Sequence, residues 1–191
     1  MIKHIPYTPG LIVLDLACHT GTLFQHLQNR TGRTWGVTPR QSEIDAPNLR
    51  ERAIAAASER LPFADAAFDA AILHERIGAP RRTQRILRQI ERVLRPRGRL
   101  IWQRSRPEQN KIAAGSLLDA TGFALLAQEA TDYLTIPVIE LFGRLPGLSR
   151  SSALKIGLKI AIAIDGALSN IPALQPWSRH VIIVAEKTSR R

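Results

Sequence analysis

Cysteine is almost absent: Cys18 is the single thiol in 191 residues. One cysteine cannot close an intramolecular disulfide or hold a zinc cluster, so neither staple is available and no metal site is expected. Long apolar runs are missing too. No stretch approaches the roughly 18 uninterrupted apolar residues of a membrane-spanning helix. Residues 1–10 also lack the apolar core of about seven residues that a secretory leader needs, so a cytoplasmic location is expected. Aromatics are scarce at 5%, yet apolar residues reach 45%, so the chain does not read as disordered. Its length suits one α/β domain spanning residues 1–191, with room for a full core. Acid is in short supply. Sixteen Asp and Glu face 27 Lys and Arg, a net charge of +11 carried by 22 arginines and five lysines. Such a field attracts phosphate-rich partners. The arginine and alanine bias of a GC-rich genome explains the same count without any partner.

What the chain does have is concentrated in residues 12–21, Ile-Val-Leu-Asp-Leu-Ala-Cys-His-Thr-Gly. An apolar run from Leu11 to Leu14 meets an acid at Asp15, and a small-residue turn follows. Gly21 then opens a segment with Leu23, Phe24 and Leu27 on one face. A buried parallel strand, a tight turn and a helix N-terminus are the geometry for a nucleotide-like ligand. The alternation continues. Strands are expected at Arg33–Val37, Arg52–Ala57, Asp69–Leu73, Arg99–Gln103, Phe123–Gln128 and Val181–Ala185. Helices are expected at Arg81–Leu94, where Ile86, Leu87, Ile90, Val93 and Leu94 recur at helical spacing, and at Pro107–Thr121. A turn or two of helix fits Arg40–Pro47. The pattern predicts a mostly parallel, doubly wound sheet with helices on both faces.

Residues 131–177 break that rhythm: nearly fifty residues, rich in apolar side chains and punctuated by four prolines, stand between the sixth and seventh strands. Ser152–Leu168 is helix-like and apolar on most faces, with Lys155 and Lys159 on a narrow strip. Packing over the sheet or substrate pocket is the expected use of such a helix. A protein partner, a homodimer contact and peripheral membrane docking are the alternatives.

The run around Asp15 resembles motif I of the class I S-adenosylmethionine (SAM)-dependent methyltransferases, V-L-D-L-G-C-G-T-G. Two further blocks are similar to the small-molecule branch of that family (methyltransferase type 11-like). Glu59–Asp69 resembles A-E-x-L-P-F-x-D-x-S-F-D, and Ile90–Leu100 resembles E-x-x-R-V-L-K-P-G-G-x-L. Trp177–Lys187 looks like the family's terminal strand. The resemblance implies a Rossmann-like seven-stranded fold, SAM as cofactor and a helical insertion before the last strand. It implies that Asp15 orders the turn and that Ala17, Cys18, His19, Thr20 and Gly21 line the methionyl group. Thr38 then stands at the ribose position, Ala57 and Ser58 at the adenine position, and Leu73 at the end of the fourth strand. Four of these depart from the pattern: Ala17 and His19 replace glycines, and Thr38 and Ala57 replace acids. His74 and Glu75 follow the fourth strand at the edge where such sheets bind ligands, which makes them the acid/base candidates.

The expected function is methyl transfer to a small molecule, with a lipid or glycoconjugate suggested by the apolar insertion. A catalytically degenerate methyltransferase fold serving as a partner or regulatory subunit is the alternative, supported by the missing acids. RNA or DNA methylation is a further alternative, raised by Arg81, Arg85, Arg88, Arg92 and Arg95 on one helix face. A solvated face explains those arginines more simply, and no aromatics interleave with them. The strand end Leu73-His74-Glu75 also lacks the Asn/Asp-Pro-Pro-aromatic signature of base amino methylation.

Overall fold

The computed structural model describes residues 4–5, 8, 10–16, 18, 22–31, 33–39, 52–74, 79–105, 114–131, 163–164, 167 and 180–188. Seven strands form one mixed sheet: β1 (Val13–Leu16), β2 (Thr34–Thr38), β3 (Ala53–Ala55), β4 (Phe68–Leu73), β5 (Leu94–Ser105), β6 (Phe123–Thr131) and β7 (His180–Lys187). Their order is β3-β2-β1-β4-β5-β7-β6. The pairs β1–β2, β1–β4, β2–β3 and β4–β5 are parallel. Among the described residues three helices are delimited, α1 (Thr22–Thr31), α2 (Pro80–Val93) and α3 (Ala114–Ala120). All seven expected strands are present. The expected helix at Pro107–Thr121 is seen from Ala114, and the Arg40–Pro47 expectation lies outside the described residues.

The chain reverses its direction of travel across the sheet between β1 and β4. β1 connects outward to β2 on one side, whereas β4 connects to β5 on the other. Right-handed crossovers therefore place α1 and α2 on opposite faces. Each helix earns its place with an apolar stripe. Phe24 and Leu27 of α1 are buried, as are Ile86, Leu87, Ile90 and Val93 of α2. Pro80 opens α2, where a missing N–H costs nothing. Lys187 closes it: its ammonium donates to the carbonyls of Glu91 (2.6 Å) and Leu94 (3.0 Å), satisfying C-terminal acceptors that the helix leaves open.

Strand β5 starts earlier than the sequence pattern suggests. Leu94 already pairs with Phe68, the register then slips, and regular pairing resumes at Arg99 opposite Ala70. Arg95-Pro96-Arg97-Gly98 fills the slip, with Arg97 at φ +62°. Gly98 is required there, because a Cβ would stand 2.8 Å from the Arg95 carbonyl.

Contacts divide the chain into two compact units, one of residues 1–128 with 183–191 and one of residues 129–182. Everything needed for the site below belongs to the first. The helix-like stretch Ser152–Leu168 lies outside the described residues apart from helical positions at 163, 164 and 167. No helix among the described residues is long and apolar enough to cross a membrane.

Candidate functional site

Four neighbouring parallel strands end along one edge of the sheet, and their register brings the site together. Leu16 sits opposite Val37 on β2 and Leu73 on β4, and Ala55 ends β3 opposite Thr38. The backbone then continues the alignment past the strands. The Cys18 N–H donates to the Val37 carbonyl at 3.2 Å, and the Ala56 N–H donates to the Thr38 carbonyl at 3.0 Å. Cys18, Thr38, Ala57, Ser58, Leu73 and His74 thus gather at the carboxyl edge, where parallel sheets bind ligands. Ala17, His19, Thr20, Gly21 and Glu75 lie outside the described residues.

Asp15 is the chemically distinctive group. It is fully buried in β1, and neither carboxylate oxygen has a hydrogen-bond partner among the described residues. Burial alone pushes its carboxyl up from 3.8 to about 7. The turn that Asp15 is expected to order lies mostly outside the described residues, and within it the Cys18 N–H donates to the Val37 carbonyl of β2. A buried carboxyl with idle oxygens is costly unless something cationic or donating reaches it. His74 stands closest, with Nε2 at 4.0 Å from Asp15 Oδ1, an ion-pair distance when the imidazole carries a proton.

Cys18 packs against α1. It is buried with Phe24, and the two sit over Gly36, whose absent side chain makes the space: a Cβ there would lie 2.9 Å from the Cys18 sulfur and 3.2 Å from the Phe24 ring. Gly36 pairs with Asp15, so this small-residue cradle shares the carboxyl's face of the sheet. At the expected ribose and adenine positions the structure offers hydroxyls in place of acids, since Thr38 and Ser58 are buried while Ala57 is exposed.

The segment carrying Ser58 is held by an arginine that the sequence pattern assigns to a solvated face. Arg92 donates from Nη1 to the Phe63 carbonyl and Asp65, both at 2.7 Å, and from Nη2 to the Leu61 carbonyl at 2.9 Å. Arg82 binds Glu59 at 2.6 Å and holds that carboxyl below its ordinary value, chiefly through the hydrogen bond. Arg95 pairs with Asp69 at 2.6 Å. The face is therefore not uniform: Arg92 fastens the 61–65 loop and Arg95 pairs with Asp69 of β4, whereas Arg81, Arg85 and Arg88 are exposed, with no ion pair among the described residues. A polar cavity of about 330 Å³ lies at the amino end of β4 and β5, lined by Arg95, Arg97, Arg99, Asp69 and Glu186. It is remote from the carboxyl edge, and its acids balance much of its charge.

Sequence reasoning passed over two further residues. Trp102 and Arg104 are both 2% exposed, and the guanidinium carbon of Arg104 lies 4.7 Å from the Trp102 ring centroid. The available signal was a charge inside an apolar strand run, Leu100-Ile-Trp-Gln-Arg104.

Residues 14–102 match the family described as "Methyltransferase domain". Solved structures share the fold across nearly the whole chain. The [4+2]-cyclase SpnF is 21% identical, with 98% of this chain and 79% of that one covered at a TM-score of 0.65. Geranyl diphosphate C-methyltransferase from Streptomyces coelicolor A3(2), solved with S-adenosyl-L-homocysteine, is 14% identical, with 98% and 78% covered at 0.66. A chain in the complex between the Haloferax volcanii Trm112 methyltransferase activator and a methyltransferase is 15% identical, with 100% and 87% covered at 0.65. No curated protein matches. Strand order and motif together define the class I SAM-dependent methyltransferase fold. Within that fold, residues 14–102 are the part similar to the methyltransferase-domain family.

Proposed function

We propose that the chain binds SAM at the carboxyl edge of β1, β2 and β4 and transfers its methyl group to a small molecule. The observation that carries this is the buried Asp15 carboxyl beside His74, its oxygens without a hydrogen-bond partner among the described residues. A cationic amino-acid moiety supplies the charge and donors that this carboxyl lacks, so the residues present fit the aminoacyl end of SAM. At the nucleoside end the Thr38 and Ser58 hydroxyls stand in for the family's acids, each a weaker contact by about 1.5 kcal/mol than a charged one. When bound, SAM brings a methyl group already activated on a cationic sulfur.

The chain's own part is binding, orientation and one proton. His74 takes the proton from the acceptor's nucleophilic O–H or N–H as the new bond to carbon forms. Asp15 then faces the resulting imidazolium across 4.0 Å in a buried setting, where opposite charges attract strongly. Calorimetric titration with S-adenosylhomocysteine tests the reading. A Kd in the micromolar range, lost in D15N, supports it, and absence of binding up to millimolar ligand overturns it.

A second reading is a fold retained without methyl transfer, as a partner or regulatory subunit. The acid-free positions Thr38 and Ala57 favour it, and the cyclase among the structural neighbours shows that this fold does not dictate one reaction. Silence toward both SAM and S-adenosylhomocysteine in a folded protein would select it. Nucleic-acid methylation has less support, because two of the five arginines that raised it are engaged, Arg92 with the 61–65 loop and Arg95 with Asp69.

A further inference from the structure

We propose that Trp102 and Arg104 form an oxyanion-binding pair at the carboxyl end of β5, and that the methyl acceptor therefore carries a carboxylate or a phosphate. The inference rests on the methyltransferase reading for the word acceptor; the anion site itself does not.

Leu73 pairs with Trp102, so β5 reaches the same sheet edge as His74. Arg104 lies two residues further along, about 6–7 Å beyond Trp102 at the rise of a strand. Alternation puts Trp102 and Arg104 on one face with Leu73 and Leu16, opposite the face of Asp15. The carboxyl and the arginine thus flank the edge from its two sides.

Burying a guanidinium is expensive, and among the described residues Arg104 is the one cation so buried. Stacking on Trp102 supports its charge and fixes the plane of its fork. Five N–H donors allow such a group to hold a protein acceptor and a ligand oxyanion together. The second observation is independent. The Trp102 indole N–H is buried with no hydrogen-bond partner among the described residues, although buried indoles ordinarily find one. Two donor groups stacked against each other at a strand end, one cationic and one idle, match the bidentate chemistry of carboxylate and phosphate.

The test is calorimetric titration of the full chain with sodium benzoate and, separately, with inorganic pyrophosphate. Both are run at 0.15 M salt, so that the exposed arginines are screened. R88M removes the same charge from the exposed face of α2 and serves as the control. At least one probe should bind, with R104M weakening it about tenfold or more and R88M changing it less than twofold. The probe that binds tells carboxylate from phosphate. If R104M fails to fold by circular dichroism, R104K carries the test: it keeps the charge but loses the fork, and should weaken binding about fivefold. W102F should weaken binding about threefold or more by removing the indole donor. Equal losses in R104M and R88M would show a diffuse charge effect and overturn the proposal, as would binding of neither probe. Titration with S-adenosylhomocysteine on the same samples separates the two readings. Anion binding without it leaves the oxyanion pair and removes the methyltransferase; the reverse removes the pair alone.

Discussion

Replacing Asp15 with asparagine should stabilise the ligand-free protein at neutral pH while abolishing cofactor binding. The carboxyl is held up at about 7 in the folded chain against 3.8 in a solvated one, through burial alone. A raised acid means that the folded state holds its proton more tightly than the unfolded state does. Between those two values the folded chain binds more protons, so stability falls as pH rises through the window and the penalty is complete above about 7. A shift of roughly three units corresponds to about 4 kcal/mol at 1.36 kcal/mol per unit. That figure is a ceiling, since a protonated His74 at 4.0 Å would offset part of it. Asparagine does not titrate, and its own burial cost is the same at every pH. The informative quantity is therefore the slope, not the absolute difference between the two proteins.

Urea unfolding of both proteins at pH 4, 5, 6, 7 and 8 measures it. The stability of D15N relative to the parent should be flat below pH 4, rise by about 2–4 kcal/mol across pH 4–7, and be flat again above. Carbon-detected titration of the Asp15 carboxyl locates the same midpoint directly. Parallel stability curves, or a carboxyl titrating near 4, would refute the reasoning. Cofactor binding closes the cycle. A cation docked on Asp15 favours its ionised form, so binding of S-adenosylhomocysteine near pH 6.5 should release protons. The measured heat would then depend on the buffer's ionisation enthalpy, a dependence that D15N removes.

H74N should lower turnover by a factor of about 10² to 10⁴ while leaving S-adenosylhomocysteine affinity within about threefold, which single-turnover kinetics and calorimetry separate. R92M removes the donors to the Leu61 and Phe63 carbonyls and should cost about 1–3 kcal/mol in urea unfolding, whereas D65A, whose side chain is mostly solvated, should cost under about 0.5 kcal/mol. G36A places a methyl group 2.9 Å from the Cys18 sulfur and should destabilise by about 1–3 kcal/mol. Adding C18A should recover most of the part due to that clash, a coupling that a double-mutant cycle reads directly.

The fold was legible because its information is periodic. Ile86, Leu87, Ile90 and Val93 announce α2 whatever they pack against, and the run Leu11–Leu14 announces β1 before its neighbours are known. Departures come where spacing carries no signal. Residues 95–98 read as a break between helix and strand, yet Leu94 already pairs with Phe68, because a bulge can absorb the misfit once Gly98 allows the chain to pass its own carbonyl. Arg92 read as a surface charge because its neighbours along the helix are exposed. Its partners lie about thirty residues away, on Leu61, Phe63 and Asp65, and nothing local reports them.

The site was legible in location but not in electrostatics. Motif resemblance gives Asp15 the task of ordering the turn, whereas burial makes it an acid whose proton is loosely decided near neutrality. Such a group contributes nothing to the stability of the empty fold at neutral pH and subtracts from it, while the surrounding strands Val13–Leu16 and Phe68–Leu73 are almost wholly apolar and buried. A chain selected for stability alone would place a leucine there. Retention of an ionisable side chain at the one position where it is most costly, at the edge where four strands end, is the physical ground for expecting a ligand. The missing acids near Thr38 and Ala57 weaken the nucleoside end of that expectation without touching its source, because the unmet demand sits in β1, where His74 at 4.0 Å meets it only in part and a bound cation would meet the rest.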